Sequence, residues 1–167
     1  SLVAISQRDV KRMLAYSSIA HAGFLLSGIV ALNKDALAAS LFYLFAYGMA
    51  TIAAFGLISL IRDSAGEVTD LNHWVGLGKR SPLIAGSFAF LLLTFAGIPL
   101  TAGFIGKFTI FTAAYDSGNI AVVVAGVLSS AIAAFFYIRV IVMMFFTDAQ
   151  EDTVTVTIPS LYTNITI

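Results

Sequence analysis

The run from 82 to 115, PLIAGSFAFLLLTFAGIPLTAGFIGKFTIFTAAY, is too long for one simple membrane helix and too short for two. As a straight helix it would extend about 50 Å, against a hydrocarbon core of about 30 Å. Divided in two, each piece would hold only about 16 residues where about 20 are needed. Near its centre lie Gly97, Pro99 and Gly103, with Thr94 and Thr101 close by. Pro99 removes a backbone donor and disfavours helix at Ile98. Backbone groups freed at membrane depth are tolerated only inside protein or along a wet cavity. The run is therefore read as one discontinuous helix, with a half from 82 to about 97, a break at 97–103, and a half from about 104 to 115. Two short separate spans are the alternative.

The membrane premise rests on composition. The chain is 59% hydrophobic and 11% charged, with a mean hydropathy of +0.96. An average soluble domain is about a quarter charged, and a chain of this size cannot hide so much apolar surface in a core. Three further segments are long enough to cross: 13–32, 36–61 and 120–146. The fold class expected is all-α, a polytopic transmembrane helix bundle with one discontinuous helix, over residues 1–147. Residues 1–7 read as the tail of an earlier span, and 148–167 as a polar loop or the start of a further helix. Within that tail, TVTVTI at 153–158 alternates like a strand but is read as loop or lead-in. The chain lacks an initiator Met, a signal-peptide layout and a polar end, so a piece of a longer protein is expected.

Basic residues in short loops set orientation. Arg8, Lys11 and Arg12 precede the first span, Lys34 alone lies between the first two, and Arg62, Lys79 and Arg80 fall in 62–81. Loop 116–119 has none. This alternation expects 8–12 and 62–81 on the cytoplasmic side, and it supports four crossings if 82–115 counts as one.

Several function classes are excluded. Nine Lys+Arg balance nine Asp+Glu, which gives no nucleic-acid footprint. Without cysteine there is no disulfide, thiolate-held metal or iron–sulfur ligation in the chain. No nucleophile–base pair, phosphate loop or His-rich metal spacing occurs, so neither catalytic nor metal residues are expected. His73 stands alone, and the hydroxyl pairs Ser17–Ser18 and Ser129–Ser130 have no partner base in their own segments.

Lys107 is the only charged residue from 82 to 114. A charge at membrane depth usually faces a bundle interior or water. Lysine, unlike arginine, changes its protonation readily when buried, and a neighbouring charge moving in or out would drive that change, as a proton relay requires. The plainer reading is a lysine that snorkels to the interface. The break beside it favours the relay. His21, in the middle of the first span, has an imidazole suited to the same work or to a plain hydrogen bond with a neighbouring helix. Lys11 serves as a positive anchor with Arg12, or reaches inward along the first span towards Tyr16, Ser18 and His21. Arg139 keeps its proton and is read as snorkelling. Tyr43, Tyr47, Thr51 and Ser59 form a polar stripe on the second span that lines a hydrated path or packs on another helix. Gly48 and Gly56 suit close helix contact there. Trp74 is expected at the membrane interface.

The stretch RDVKRMLAYSSIAHAGF resembles the KR-LAYSSI-H-G signature of the antiporter-like membrane subunits of respiratory complex I, shared with the multisubunit sodium/proton antiporters. LLLTFAGIPLTAGFIGKF resembles the second broken helix of that family. Within it the N-type branch fits best. FYLFAYGMATIAAF, with Thr51, stands where L-type subunits carry an HAFFK-like run. Lys107 stands where M-type subunits usually carry glutamate, and GFIGKF departs from the L-type GFFSKD context. The resemblance covers nearly all of 1–148 and implies helices ten to thirteen of about fourteen, within inverted repeats that each hold one broken helix.

By that resemblance, Lys107 is the lysine of an exit half-channel, and Lys11 and His21 are polar positions on a hydrated axis. The first broken helix, its lysine and the glutamate that pairs with it lie outside this sequence. Thr51 puts a charged relay residue on the second span in doubt, so water around Tyr43, Tyr47 and Thr51 would have to bridge. The implied function is proton translocation by a non-redox subunit of NADH-quinone oxidoreductase, coupled to electron transfer elsewhere. NADH, FMN, iron–sulfur clusters and quinone are expected in partner subunits. Expected partners are M-type and small K/J-type membrane subunits and lipid, with no nucleic acid, in a bacterial plasma membrane. A sodium/proton antiporter subunit is the alternative, and a transport-inactive scaffold the third reading.

Overall fold

A computed structural model describes residues 1–31, 33–63 and 66–147. The expectations for 148–167, TVTVTI included, lie outside the described residues. The elements in order are α1 (Leu2–Ile5), α2 (Val10–Val30), α3 (Lys34–Ser59), strands β1 (Arg62–Asp63) and β2 (Gly66–Glu67), a 3-10 turn (Leu71–Trp74), α4 (Leu77–Arg80), α5 (Pro82–Ala96), α6 (Ala102–Asp116) and α7 (Ile120–Phe146). α2, α3 and α7 are each long and apolar enough to cross a membrane. α5 and α6 have 15 residues each, about 22 Å of helix apiece, and neither spans alone.

Side chains set the helix starts. Asp9 accepts from the Arg12 N–H at 2.8 Å, which satisfies a donor of the first turn and starts α2 three residues before the span expected from hydropathy. Asn33 does the same for α3 through the Ala36 N–H at 2.7 Å. Pro82 opens α5 at a position where a missing N–H costs nothing.

Segment 62–81 is more than a tether. β1 and β2 pair antiparallel, and the following residues fold back onto the start of α2. Val10 donates to the Thr69 carbonyl and Leu71 to the Arg8 carbonyl, each at 2.8 Å. Trp74, expected at the interface, is instead fully buried. Its ring packs on Phe88 with centroids 4.9 Å apart, and its indole N–H donates to the Val68 carbonyl at 3.0 Å. The loop roofs one end of the bundle, and the tryptophan is the wedge beneath that roof.

The main core is built where α5 packs on α7, from Phe88, Leu92, Phe136, Val140 and Met144. α3 packs on α6 and α2 crosses both. Large apolar side chains such as Phe45, Ile52, Phe90, Leu128 and Phe135 point outward, as a lipid-facing surface requires. Gly48 and Gly56 do not make the helix contacts expected of them, since a Cβ at either would meet nothing within 4 Å. The close approaches lie elsewhere: Gly106 lies under the Tyr43 ring, and Gly126 under Phe111.

Candidate functional site

α5 ends at Gly97, whose φ of 77° is left-handed and suits glycine. The Gly97 N–H reaches back to the Leu93 and Thr94 carbonyls at 3.0 and 3.1 Å, and the Ile98 N–H to Leu93 at 3.1 Å. Pro99 follows, and Leu100 adopts a φ of 78° while fully exposed. Thr101 then caps α6, its hydroxyl accepting from the Phe104 N–H at 3.3 Å. The break is thus 97–101. Gly103, expected to help open it, lies inside α6. A Cβ there would collide with the Thr94 carbonyl, so this glycine brings the two half-helices together rather than parting them.

That closure leaves the carbonyls of Phe95 and Ala96, in the last turn of α5, without helical partners. Lys107, one and a half turns into α6 and 4% exposed, fills the gap. Its Nζ donates to Phe95 O at 2.8 Å, to Ala96 O at 3.2 Å and to Ser130 Oγ of α7 at 3.1 Å. It also stands 4.8 Å from the centre of the Phe24 ring. The side chain therefore turns inward instead of snorkelling. A cation at a helix C-terminus is favoured by the partial charge of the unpaired carbonyls, and an uncharged amine can still donate to them. The site accommodates both protonation states. Among the described residues no carboxylate pairs with Lys107.

His21 is fully buried on α2. Its Nδ1 lies 2.6 Å from the Tyr43 hydroxyl of α3, and its Nε2 lies 3.1 Å from the Tyr137 hydroxyl of α7. Tyr137 also bonds the Ser17 hydroxyl, one turn before His21. Tyr47 stacks on the imidazole at 4.2 Å and donates to Ser18 Oγ at 2.8 Å. Phe95 packs edge-on to His21 at 5.8 Å. Phe24 and Phe95 thus each touch both His21 and Lys107.

Other expected positions stand apart. Lys11 forms an ion pair with Glu67 in the loop roof, ten residues before His21 and hence about 15 Å away along the helix. Thr51 spends its hydroxyl on the Tyr47 carbonyl at 2.8 Å. It lines a cleft with Leu14, Ser17, Ser18, Tyr47 and Phe55 that has no room for a water. Arg139 donates to the Ile5 carbonyl at 3.0 Å. Sequence reasoning missed Ser130, Tyr137 and Phe95. Ser130 and Tyr137 are seven apart on α7, so they share a helix face, and that spacing was the available signal. Phe95 carried none, since its contribution to Lys107 is a carbonyl.

Residues 1–133 match the transmembrane family described as NADH:quinone oxidoreductase/Mrp antiporter. The chain belongs to that family. Among relatives, NADH-quinone oxidoreductase subunit N of Rhodococcus opacus is 58% identical over 163 residues, which is 98% of this chain and 30% of that protein. NADH-quinone oxidoreductase subunit N 3 of Streptomyces griseus is 58% identical over 167 residues, all of this chain and 30% of the relative. The Mycobacterium bovis subunit N is 48% identical over 171 residues, covering 32% of its length. The chain thus spans about a third or less of the curated relatives it matches. A chain in the structure of respiratory complex I from Thermus thermophilus with bound aureothin superposes with a TM-score of 0.78 at 34% identity, over 92% of this chain and 34% of that one. The resemblance read from the LAYSSI signature and the broken helix therefore holds at the level of the NADH:quinone oxidoreductase/Mrp antiporter family. The helical bundle is the fold of its members.

Proposed function

We propose that this chain is part of an N-type subunit of a NADH-quinone oxidoreductase, and that it carries protons across a bacterial plasma membrane through a relay centred on Lys107 and His21. The observation that carries the reading is the placement of Lys107. A titratable amine sits inside the bundle, on ligands supplied by the broken helix, beside an imidazole linked to two hydroxyls. Residues 8–12 and 62–81 face the cytoplasm in this reading. The Lys11–Glu67 pair marks the cytoplasmic mouth, and Lys11 passes protons inward when that pair opens. Water enters between Tyr43, Tyr47 and Thr51 in an open state of the bundle and bridges where the second span lacks a charge. In this reading NADH, FMN, iron–sulfur clusters and quinone belong to partner subunits, with M-type and K/J-type membrane subunits as neighbours.

The test is substitution of Lys107 by alanine in the full-length subunit, within the complex reconstituted in liposomes. Protons moved per NADH oxidised fall if the reading is right and stay unchanged if it is wrong. A sodium/proton antiporter subunit is the second reading, favoured by the antiporter branch of the matched family. Affinity purification separates the two. Flavin and iron–sulfur subunits co-purify in the first case, and antiporter subunits alone in the second.

A further inference from the structure

At the end of the bundle away from the 62–81 roof, α3 and α6 enclose a groove of about 540 Å³, within the range that holds small ligands, roughly 300–1,000 Å³. Ala39 and Ala113 leave the space, and Phe42, Ile105 and Phe108 flank it, each about half exposed. The hydroxyls of Thr109 and Thr112 on the same wall donate to the Ile105 and Phe108 carbonyls, each at 2.9 Å, so they offer no free donor to a ligand. From Asp116 to Ile105 the groove follows α6 for about 16 Å, the depth of one leaflet in a hydrocarbon core of about 30 Å. The mouth differs from the walls, because Asp35 and Asp116 line it. Among the described residues no basic side chain lines the groove, and neither carboxylate has an ion-pair partner. Lys34, next to Asp35, lines a separate groove with Gly28 and Ile29. Asp35 lies in the first turn of α3, where the helix dipole favours a carboxylate. Asp116 ends α6, where the same dipole opposes one, so the fold does not account for its charge.

We propose that this groove holds one phosphatidylethanolamine molecule from the leaflet facing away from the roof, with an acyl chain along Phe42 and Phe108 and its ammonium group at Asp35 and Asp116. The proposal stands apart from the proton-relay reading. Each feature of the groove selects a part of the ligand. A groove one leaflet deep with apolar walls suits an acyl chain. Two carboxylates at its mouth call for a cation. A primary ammonium brings three N–H donors, and charge-assisted bonds to carboxylates are short and strong. The trimethylated nitrogen of a choline lipid has no donor to give. The headgroup of phosphatidylglycerol has no cation, and its net negative charge is repelled. The ethanolamine lipid's own phosphate stays in the headgroup layer, where salt screens it.

The experiment uses the full-length subunit in the assembled oxidoreductase, in phosphatidylcholine vesicles holding a trace of phosphatidylethanolamine with a photoreactive acyl chain. After illumination, the crosslinked peptides of α3 and α6 are quantified. The label should fall on the wall formed by Phe42, Ile105 and Phe108. Excess unlabelled phosphatidylethanolamine should displace it, and the same excess of phosphatidylglycerol should not. Asp35→Asn combined with Asp116→Asn keeps the size of both side chains and removes their charge, and should lower labelling about tenfold or more. If that double variant does not assemble, the competition in the wild type decides the matter. Equal displacement by phosphatidylglycerol, or full labelling of the double variant, would mean an apolar groove that takes any lipid, and overturns the proposal. Absence of label from this wall would mean that protein covers it, from the rest of the subunit or a neighbour, and overturns the proposal as well.

Discussion

The side-chain nitrogen of Lys107 lies 2.8 Å from the carbonyl oxygen of Phe95, across the break that separates α6 from α5. This contact gives the interrupted helix a purpose. The helical partner of that carbonyl would be the amide of Pro99, four residues on, and proline has no N–H to give. Pro99 thus leaves it free, and starting α6 at Ala102 brings a lysine back to it. The stabilisation comes from protein dipoles already fixed in position, so water is not needed to hold this side chain.

Gly97 should therefore tolerate no side chain. Its φ of 77° would impose about 1–2 kcal/mol on an L-residue. An added Cβ would also press on the Lys107 chain, with Cδ at 3.1 Å and Nζ at 3.4 Å. Gly97→Ala is expected to lower the denaturation midpoint of the subunit and to depress proton translocation. Leu100→Gly, at the neighbouring left-handed position, should raise the midpoint and leave translocation alone.

Glycines on α3 and α6 should respond in opposite directions. Gly103→Ala drives a methyl into the Thr94 carbonyl, an overpacking that costs about 1–3 kcal/mol or more. Gly48→Ala and Gly56→Ala meet open space and should be neutral or stabilising by about 0.5–1 kcal/mol, the ordinary helix preference for alanine. Unfolding of the three variants in graded denaturant checks the order.

Asp9 joins the loop roof to α2, accepting from the Arg12 N–H at 2.8 Å and the Thr69 hydroxyl at 2.5 Å. Partial burial alone would raise its pKa, but the Thr69 hydroxyl and the backbone N–H groups outweigh it and hold the carboxyl below the usual aspartate value. A lowered folded-state pKa adds stability above the unfolded value of about 4, and that stability is lost as pH falls through the folded value. Asp9→Asn keeps the cap geometry and removes the titration. The wild type should exceed it by a constant margin at neutral pH, and the margin should vanish in acid. Asp9→Ala should cost about 1 kcal/mol at neutral pH, the usual value of a helix cap.

The helical class, the break near Pro99 and the burial of Lys107 and His21 were legible because hydropathy, proline chemistry and a lone intramembrane charge act locally. What was not legible is pairwise and distant. Tyr137 joins His21 across 116 residues, and Lys107 bonds Phe95 across 12. Neither is a motif, and one is made by a backbone atom that any residue would supply. Gly103 was assigned to opening the helix because glycine serves both breaking and close approach, and only the position of the Thr94 carbonyl tells them apart. Trp74 was placed at the interface because folding of a polar loop over the bundle end leaves no periodic trace.

The most direct test of the account compares Lys107→Ala with Lys107→Arg in the reconstituted full-length complex, measuring protons translocated per NADH oxidised. Arginine keeps the charge and the hydrogen-bond donors but does not release its proton. The relay predicts that both variants lose translocation while the complex remains assembled. Translocation at the wild-type ratio in Lys107→Arg would contradict it, because the lysine would then serve only as a fixed charge on the end of α5.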